Sequence, residues 1–242
     1  MTILENQLRF LMDKAFAKGE VNCADCSIRK SVLFAGLEIS DCESIHRPID
    51  DIALAPHEVL YRAGDPAQAV FTIRSGLLKL VQYLPDGRQR IVRLLRATDV
   101  TGLEALLDQP YQHDAIVLQQ SEVCRIPLEV IQRLDRDNPK LRKELMVRWQ
   151  RALDEADAWL TQLATGGARA RMARLLQRLV SGREDGSCEL FGREDMGSML
   201  GITTETASRI IAEFKRSGAL QEIPGSVSLR CDNTALNKIA AD

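Results

Sequence analysis

The sequence has little that would commit it to an unusual environment. No apolar run approaches the roughly 20 residues that span a bilayer, so no membrane partner is expected. The opening stretch places Glu5, Arg9, Asp13 and Lys14 where a secretory signal would need an uninterrupted apolar core. Six cysteines in 242 residues are too few for a secreted disulfide scaffold. A reducing, cytoplasmic setting is the expectation, with the thiols free or metal-bound. The formal net charge is only -2, so nothing about the whole chain attracts nucleic acid. His46, His57 and His113 stand isolated, which gives haem little support. Neither a glycine-rich phosphate loop nor a nucleophile–base pair is visible, and an enzyme is not expected. What is present is a hydrophobic fraction of 45% with 27% charged residues, enough to fill one large core or two ordinary ones.

Three textures follow one another along the chain. Residues 1–45 form an N-terminal segment that carries a Cys-x-x-Cys, Cys23 and Cys26, in polar surroundings. Residues 46–137 read as β structure. Val70–Ile73, Leu77–Tyr83, Ile91–Leu95, Ile116–Leu118 and Val123–Ile126 are short and rich in Val, Ile and Leu, and turn signals at Ala63-Gly64-Asp65, Ser75-Gly76 and Pro85-Asp86-Gly87 separate them. Such spacing suggests a small antiparallel roll. Over 138–165 the period changes to that of a long helix beginning after Asn138-Pro139. Leu145, Trp149, Ala152, Ala156, Trp159 and Leu163 follow a heptad spacing, so they predict a dimer seam between two copies. Packing of the same stripe on the chain's own β domain is the competing reading. Thr165-Gly166-Gly167 then forms a hinge to residues 166–242.

In that last region residues 168–180 predict a helix with Met172, Leu175, Leu176 and Leu179 inward and Arg169, Arg171, Arg174 and Arg178 outward. Residues 193–200 form a short helix ending at Gly201, and Thr203 opens a second helix as its N-cap. This is the helix-turn-helix pattern. On the second helix Ala207, Ile210, Ile211 and Phe214 are spaced for burial, whereas Glu205, Ser208 and Arg209 share one outward face. Arginine donates bidentately to guanine, glutamate accepts from a cytosine amino group, and serine bonds to several partners. Together with Thr204, these residues are the candidate base-reading set; a solvated Glu205–Arg209 ion pair is the competing reading. Pro224-Gly225 between Leu220–Ile223 and Val227–Leu229 reads as a hairpin wing. From Gly166 onward eleven Lys and Arg face ten Asp and Glu, so affinity for DNA would depend on local placement of Arg169, Arg209, Lys215 and Arg216 and on avidity of a dimer.

With these motifs the chain resembles the CRP/FNR superfamily of bacterial transcription regulators, and Gly201–Arg209 resembles its FNR-like branch. The resemblance implies an α+β chain: an N-terminal antiparallel β-roll (a jelly roll like that of cyclic-nucleotide-binding domains), a long dimerisation helix and a C-terminal winged helix-turn-helix. It implies that Glu205, Ser208 and Arg209 read a TTGAT-type palindrome in double-stranded DNA, and that exposed β-roll loops such as Leu84–Arg90 dock RNA polymerase. A β-roll regulating an attached catalytic partner is disfavoured, because the helix-turn-helix follows the long helix.

The resemblance offers two kinds of signal. For a cyclic nucleotide the family pattern places an arginine where this chain has His113, followed by Asp114, whose charge would oppose a phosphate; cyclic AMP is not expected. For a 4Fe–4S oxygen or nitric-oxide switch, Cys23, Cys26 and Cys124 match the family's ligands. The remaining N-terminal ligand falls near Ser31-Val32, which supply no thiolate. Cys42, or an oxygen or nitrogen from Asp25, Asp41 or His46, is left to complete the set. A thiol pair at Cys23 and Cys26 or a small molecule in the β-roll is the alternative. Cys188 and Cys231 read as structural.

Overall fold

The computed structural model describes residues 19–20, 49–137, 139–181, 186–226 and 228–241. The chain divides into two compact units. One runs to Gln82 and resumes over Leu94–Ala152; the other takes Tyr83–Arg93 and everything from Leu153 onward.

A seven-stranded sheet, most of it in the first unit, comprises β1 (Gly19–Glu20), β2 (Asp50–Leu54), β3 (Val59–Tyr61), β4 (Ala69–Tyr83), β5 (Gln89–Arg96), β6 (Val100–Thr101) and β7 (Asp114–Pro127). The strand order is β1-β2-β7-β4-β5, with β3 paired to β7 and β6 to β4. Strands expected as separate pieces are joined. Val70–Ile73 and Leu77–Tyr83 belong to one strand of 15 residues, and Ile116–Leu118 and Val123–Ile126 to one of 14. Ser75-Gly76 is therefore no turn but a bulge, where the β4–β7 register shifts. Gly76 has φ +90°, and a Cβ there would lie 2.6 Å from the Ser121 Cα and collide with the Ser121 hydroxyl. Glycine lets the long strand bend over its partner without breaking the ladder.

Val70, Ile126 and Val100 of the sheet bury against Val130 and Ile131 of helix α1 (Leu128–Asp137) and Leu141 of helix α2 (Pro139–Leu163). Arg148 of α2, itself buried, donates to the Thr98 carbonyl at 3.3 Å and so ties the first half of the helix to the sheet.

The second unit contains helix α3 (Ala168–Val180), strand β8 (Ser187–Glu189), helices α4 (Arg193–Leu200) and α5 (Thr204–Arg216), strands β9 (Leu220–Glu222) and β10 (Ser228–Cys231), and helix α6 (Asn233–Ala241). β9 and β10 are the expected wing; β8, which pairs with β10, was not anticipated. Met172, Leu175, Leu176 and Leu179 bury as their spacing requires.

Candidate nucleic-acid interface

The crossing of α4 and α5 is controlled by two glycines. Gly201 ends α4 in the left-handed region, at φ 63° and ψ 42°, where its N–H returns to the Gly197 carbonyl. A Cβ at Gly197 would stand 2.7 Å from the Ile202 carbonyl, so the backbone approaches too closely there for any side chain. Thr203 then caps α5, its hydroxyl accepting from the Thr206 N–H at 3.2 Å. With the start of α5 set in this way, Ala207, Ile210, Ile211 and Phe214 are buried. Thr204, Glu205, Ser208 and Arg209 are all exposed.

The Thr203 hydroxyl and, after it, the helix backbone hold the Glu205 carboxyl below the usual carboxylate range. Glu205 is thus an ionised acceptor at neutral pH. Among the described residues no ion pair joins it to Arg209, so the salt-bridge alternative is not what the geometry contains. Ser208 and Arg209 are exposed beside it.

The surrounding cations divide differently from expectation. Arg169 pairs with Glu213 at 2.7 Å and lies over the Phe214 ring, and Lys215 pairs with Glu222 at 2.6 Å. Both are held within the unit, while Arg216 remains exposed. The arginines of α3 expected to point outward do internal work. Arg171 donates to the Leu200 carbonyl at 2.7 Å. Arg174 reaches the Gln162, Thr165 and Ala240 carbonyls, satisfying the ends of two helices. Spacing alone places such residues on a polar face; only the termini packed nearby reveal that they are consumed there. An open groove of about 860 Å³ lies between the wing turn and the start of α4, lined by Arg193, Lys215, Pro224 and Gly225 among others. It includes none of Glu205, Ser208 and Arg209.

The other candidate positions fall in and around the sheet. Gly102, at φ +77°, lets Tyr111 and Phe71 approach its Cα closely, and Tyr111 stacks on Tyr61 at 4.0 Å between ring centroids. The Tyr111 hydroxyl donates to the Ala69 carbonyl at 2.8 Å, and the Tyr61 and Thr101 hydroxyls are bonded. Asp114 is buried and accepts from the Ala63 N–H at 2.7 Å, with Arg62 3.9 Å away. Cys124 is half-buried on β7, opposite Asp51 of β2, and its thiol donates to the Asp51 carboxylate at 3.2 Å. Arg74 holds the other oxygen of that carboxylate. Cys23, Cys26, Cys42, Asp25, Asp41 and His46 lie outside the described residues. Among the described ones no three His, Cys, Asp or Glu side chains are grouped to hold a metal. One thiol beside a carboxylate does not by itself hold a cluster, and of the candidate ligands only Cys124 falls among the described residues.

Along α2 the six expected seam residues part company. Leu163 is fully buried in its own unit, and Leu145 packs against the core around Leu141. Ala152, Ala156 and Trp159 are half-buried. The large apolar side chains left in solvent are Met146, Val147, Trp149, Leu153 and Leu160, of which Leu160 is 64% exposed.

A helix-turn-helix with a paired wing, joined to a β-roll and a long helix, defines a DNA-binding transcription regulator and not an enzyme. Residues 170–237 match the family described as Crp-like helix-turn-helix domain, and residues 52–138 match cyclic nucleotide-binding domain. The transcriptional activator protein anr of Pseudomonas aeruginosa is 30% identical over 86% of this chain and 88% of its own length. Electron transport regulator A of Shewanella oneidensis is 29% identical over 100% of this chain and 98% of its own. The structure of FixK2 from Bradyrhizobium japonicum superposes with a TM-score of 0.71 at 22% identity, covering 80% of this chain and 98% of that one. The chain belongs to the CRP/FNR family of transcription regulators.

Replacing Thr203 by Ala removes the cap and the donor to Glu205. We expect a loss of about 1 kcal/mol in urea unfolding of this unit, and an NMR titration in which the Glu205 carboxyl moves up towards its ordinary value. An unchanged Glu205 titration would show that the cap does not tune it.

Proposed function

We propose that the chain acts as a cytoplasmic homodimer that reads a TTGAT-like palindrome through Thr204, Glu205, Ser208 and Arg209, recruits RNA polymerase, and answers a redox, oxygen or nitric-oxide signal. The observation that carries the DNA reading is the exposed face at the start of α5, on which Glu205 and Arg209 form no ion pair with one another. An ionised acceptor and two donor side chains stand there on a helix whose opposite side is anchored in the core. Such a face suits base edges in the major groove, and two-fold symmetry of a dimer suits a palindrome. The turn Leu84–Arg90, exposed from Leu84 to Arg88 and braced by the Arg88–Asp86 ion pair at 2.7 Å, is the surface assigned to polymerase.

The dimer reading is supported by α2, with its seam moved from that expected. Trp149 and Ala156 stay in it, while exposed Met146, Leu153 and Leu160 replace the row of Leu145, Ala152 and Trp159, of which Leu145 packs on the chain's own core and the other two are half-buried. Met146, Trp149, Leu153, Ala156 and Leu160 keep the alternation of three and four residues that a two-helix contact needs. Residues 1–45, 46–137, 138–165 and 166–242 then serve as signal segment, β-roll, dimer helix and DNA-binding domain. Movement of the dimer helices would alter the distance between two reading helices.

A cyclic nucleotide is a poor candidate for the signal. Asp114 brings negative charge to the place where a phosphate would need a cation, and the Tyr61–Tyr111–Phe71 stack packs tightly beside Gly102. Names of the relatives favour redox: one is an electron transport regulator, and a fumarate and nitrate reduction regulatory protein of Escherichia coli is 28% identical over 91% of this chain and 90% of its own. The elements assigned to sensing are Cys23, Cys26 and Cys124, either as cluster ligands with a fourth donor or as thiols.

Arg209→Ala is expected to cost about 1–3 kcal/mol in binding to the palindrome and to relax discrimination at one base pair; wild-type affinity and selectivity in a fluorescence titration would defeat the assignment. Leu153→Asp should convert the dimer to a monomer in sedimentation velocity, whereas a dimer of unchanged stability would place the interface elsewhere. Protein purified without oxygen should contain about four irons and four acid-labile sulfides per chain if a 4Fe–4S cluster forms. Iron-free protein that still binds the palindrome would leave those cysteines to thiol chemistry.

A further inference from the structure

Cys188 and Cys231 are 43 residues apart in the chain and meet in space. β8 and β10 run antiparallel with Leu229 opposite Cys188, so Cys231, two residues further on, falls on the same face of the sheet and diagonal to Cys188. That face is turned inward, and the two residues are 1% and 6% exposed. Their sulfurs lie 3.3 Å apart, unbonded, with one thiol hydrogen between them. A disulfide requires about 2.05 Å, so little more than about 1 Å of closure separates the dithiol from the bonded pair. Beside it the Cys231 N–H donates to the Gly186 carbonyl at 3.0 Å, which holds the strands in register as the sulfurs move.

We propose that Cys188 and Cys231 are a dithiol–disulfide couple, a modification site within the DNA-binding unit whose oxidant is a low-molecular-weight disulfide. One cysteine, as thiolate, attacks a sulfur of the small disulfide, forming a mixed disulfide and releasing one small thiolate. The second cysteine attacks its neighbour's sulfur, the protein disulfide forms, and a second small thiolate leaves. The two cysteine protons end on the two released thiols. Two protein thiols are oxidised and one small disulfide is reduced.

The bond closes a ring that contains α4, α5 and β9, so it ties the strand before the helix-turn-helix to the strand after the wing. It lies in the core, away from exposed Thr204, Glu205, Ser208 and Arg209. Oxidation therefore strengthens the unit without covering that face. Burial means that the oxidant gains access only when β10 parts from β8. The bond shared with Cys188 and, after it, burial push the Cys231 thiol up, so exchange quickens as pH rises. Where small thiols are abundant the dithiol is the resting form. None of this depends on Cys23, Cys26 or Cys124, or on which DNA sequence is read.

The test uses the reduced full chain, incubated with excess glutathione disulfide at pH 8 a few degrees below its unfolding midpoint. Remaining thiols are then alkylated in denaturant and the peptides mapped. The expected product is a peptide pair joined through Cys188 and Cys231 and lighter by two hydrogens. Its formation should raise the unfolding midpoint by about 5 °C or more, reversibly with dithiothreitol, and Cys231→Ala should show neither effect. Recovery of both cysteines alkylated, or as separate glutathione adducts, overturns the proposal, as does a rise in midpoint that persists in Cys231→Ala. Mapping is done on the unsubstituted chain, so it decides the question even if the variant folds poorly.

Discussion

Two helices that cross at a helix-turn-helix must bring their backbones closer than side chains normally allow, and the rest of the second unit depends on how that approach is made. Gly197 supplies the space, since a Cβ would meet the Ile202 carbonyl at 2.7 Å. Gly201 supplies the left-handed turn that lets the chain leave α4 and enter α5 at once. Thr203 then fixes the phase of α5 by capping it. Once phase is fixed, burial of Ala207, Ile210, Ile211 and Phe214 leaves no freedom in which residues face outward. The character of the proposed reading face is thus set by a backbone contact several residues away.

The arginines around this core show how a polar surface is divided between support and function. Arg171 and Arg174 are committed to carbonyl groups at helix ends, Arg169 to Glu213, and Lys215 to Glu222. Unsatisfied carbonyls at a packed helix terminus carry a cost that a guanidinium relieves with several donors at once. The cations left for a DNA backbone are consequently fewer than a count of Lys and Arg suggests; Arg209 and Arg216 are exposed on α5. A unit of nearly balanced charge must concentrate its attraction for a DNA backbone in few positions.

Helix α2 answers to two masters. Its first half is tied to the β-roll by Leu141, Leu145 and Arg148, and its end is buried at Leu163 in the following unit. A heptad read from the sequence includes every apolar residue of suitable spacing, irrespective of which partner it serves. Packing removes Leu145 and Leu163 from that set and leaves Met146, Trp149, Leu153 and Leu160 in solvent. A helix that covers its own domain turns part of its apolar stripe inward and leaves the remainder on another side.

Much of the architecture was legible because it is local. The change from alternating β patterns to a helical period, the Gly201–Thr203 junction, the inward residues of α3 and the wing all follow from propensity and spacing within a few residues. The strand boundaries were not, since the Ser75-Gly76 signal for a turn and that for a bulge are the same dipeptide until Ser121 of the opposing strand is in place. Glu205, Ser208 and Arg209 were placed on one outward face by sequence alone, as helical periodicity dictates. Tertiary structure decided that Cys124 lies against Asp51, that β8 completes the wing sheet and that Cys188 meets Cys231. Each of these depends on residues distant in the chain, and the pattern of a sequence encodes which face a residue takes far more directly than what waits for it there.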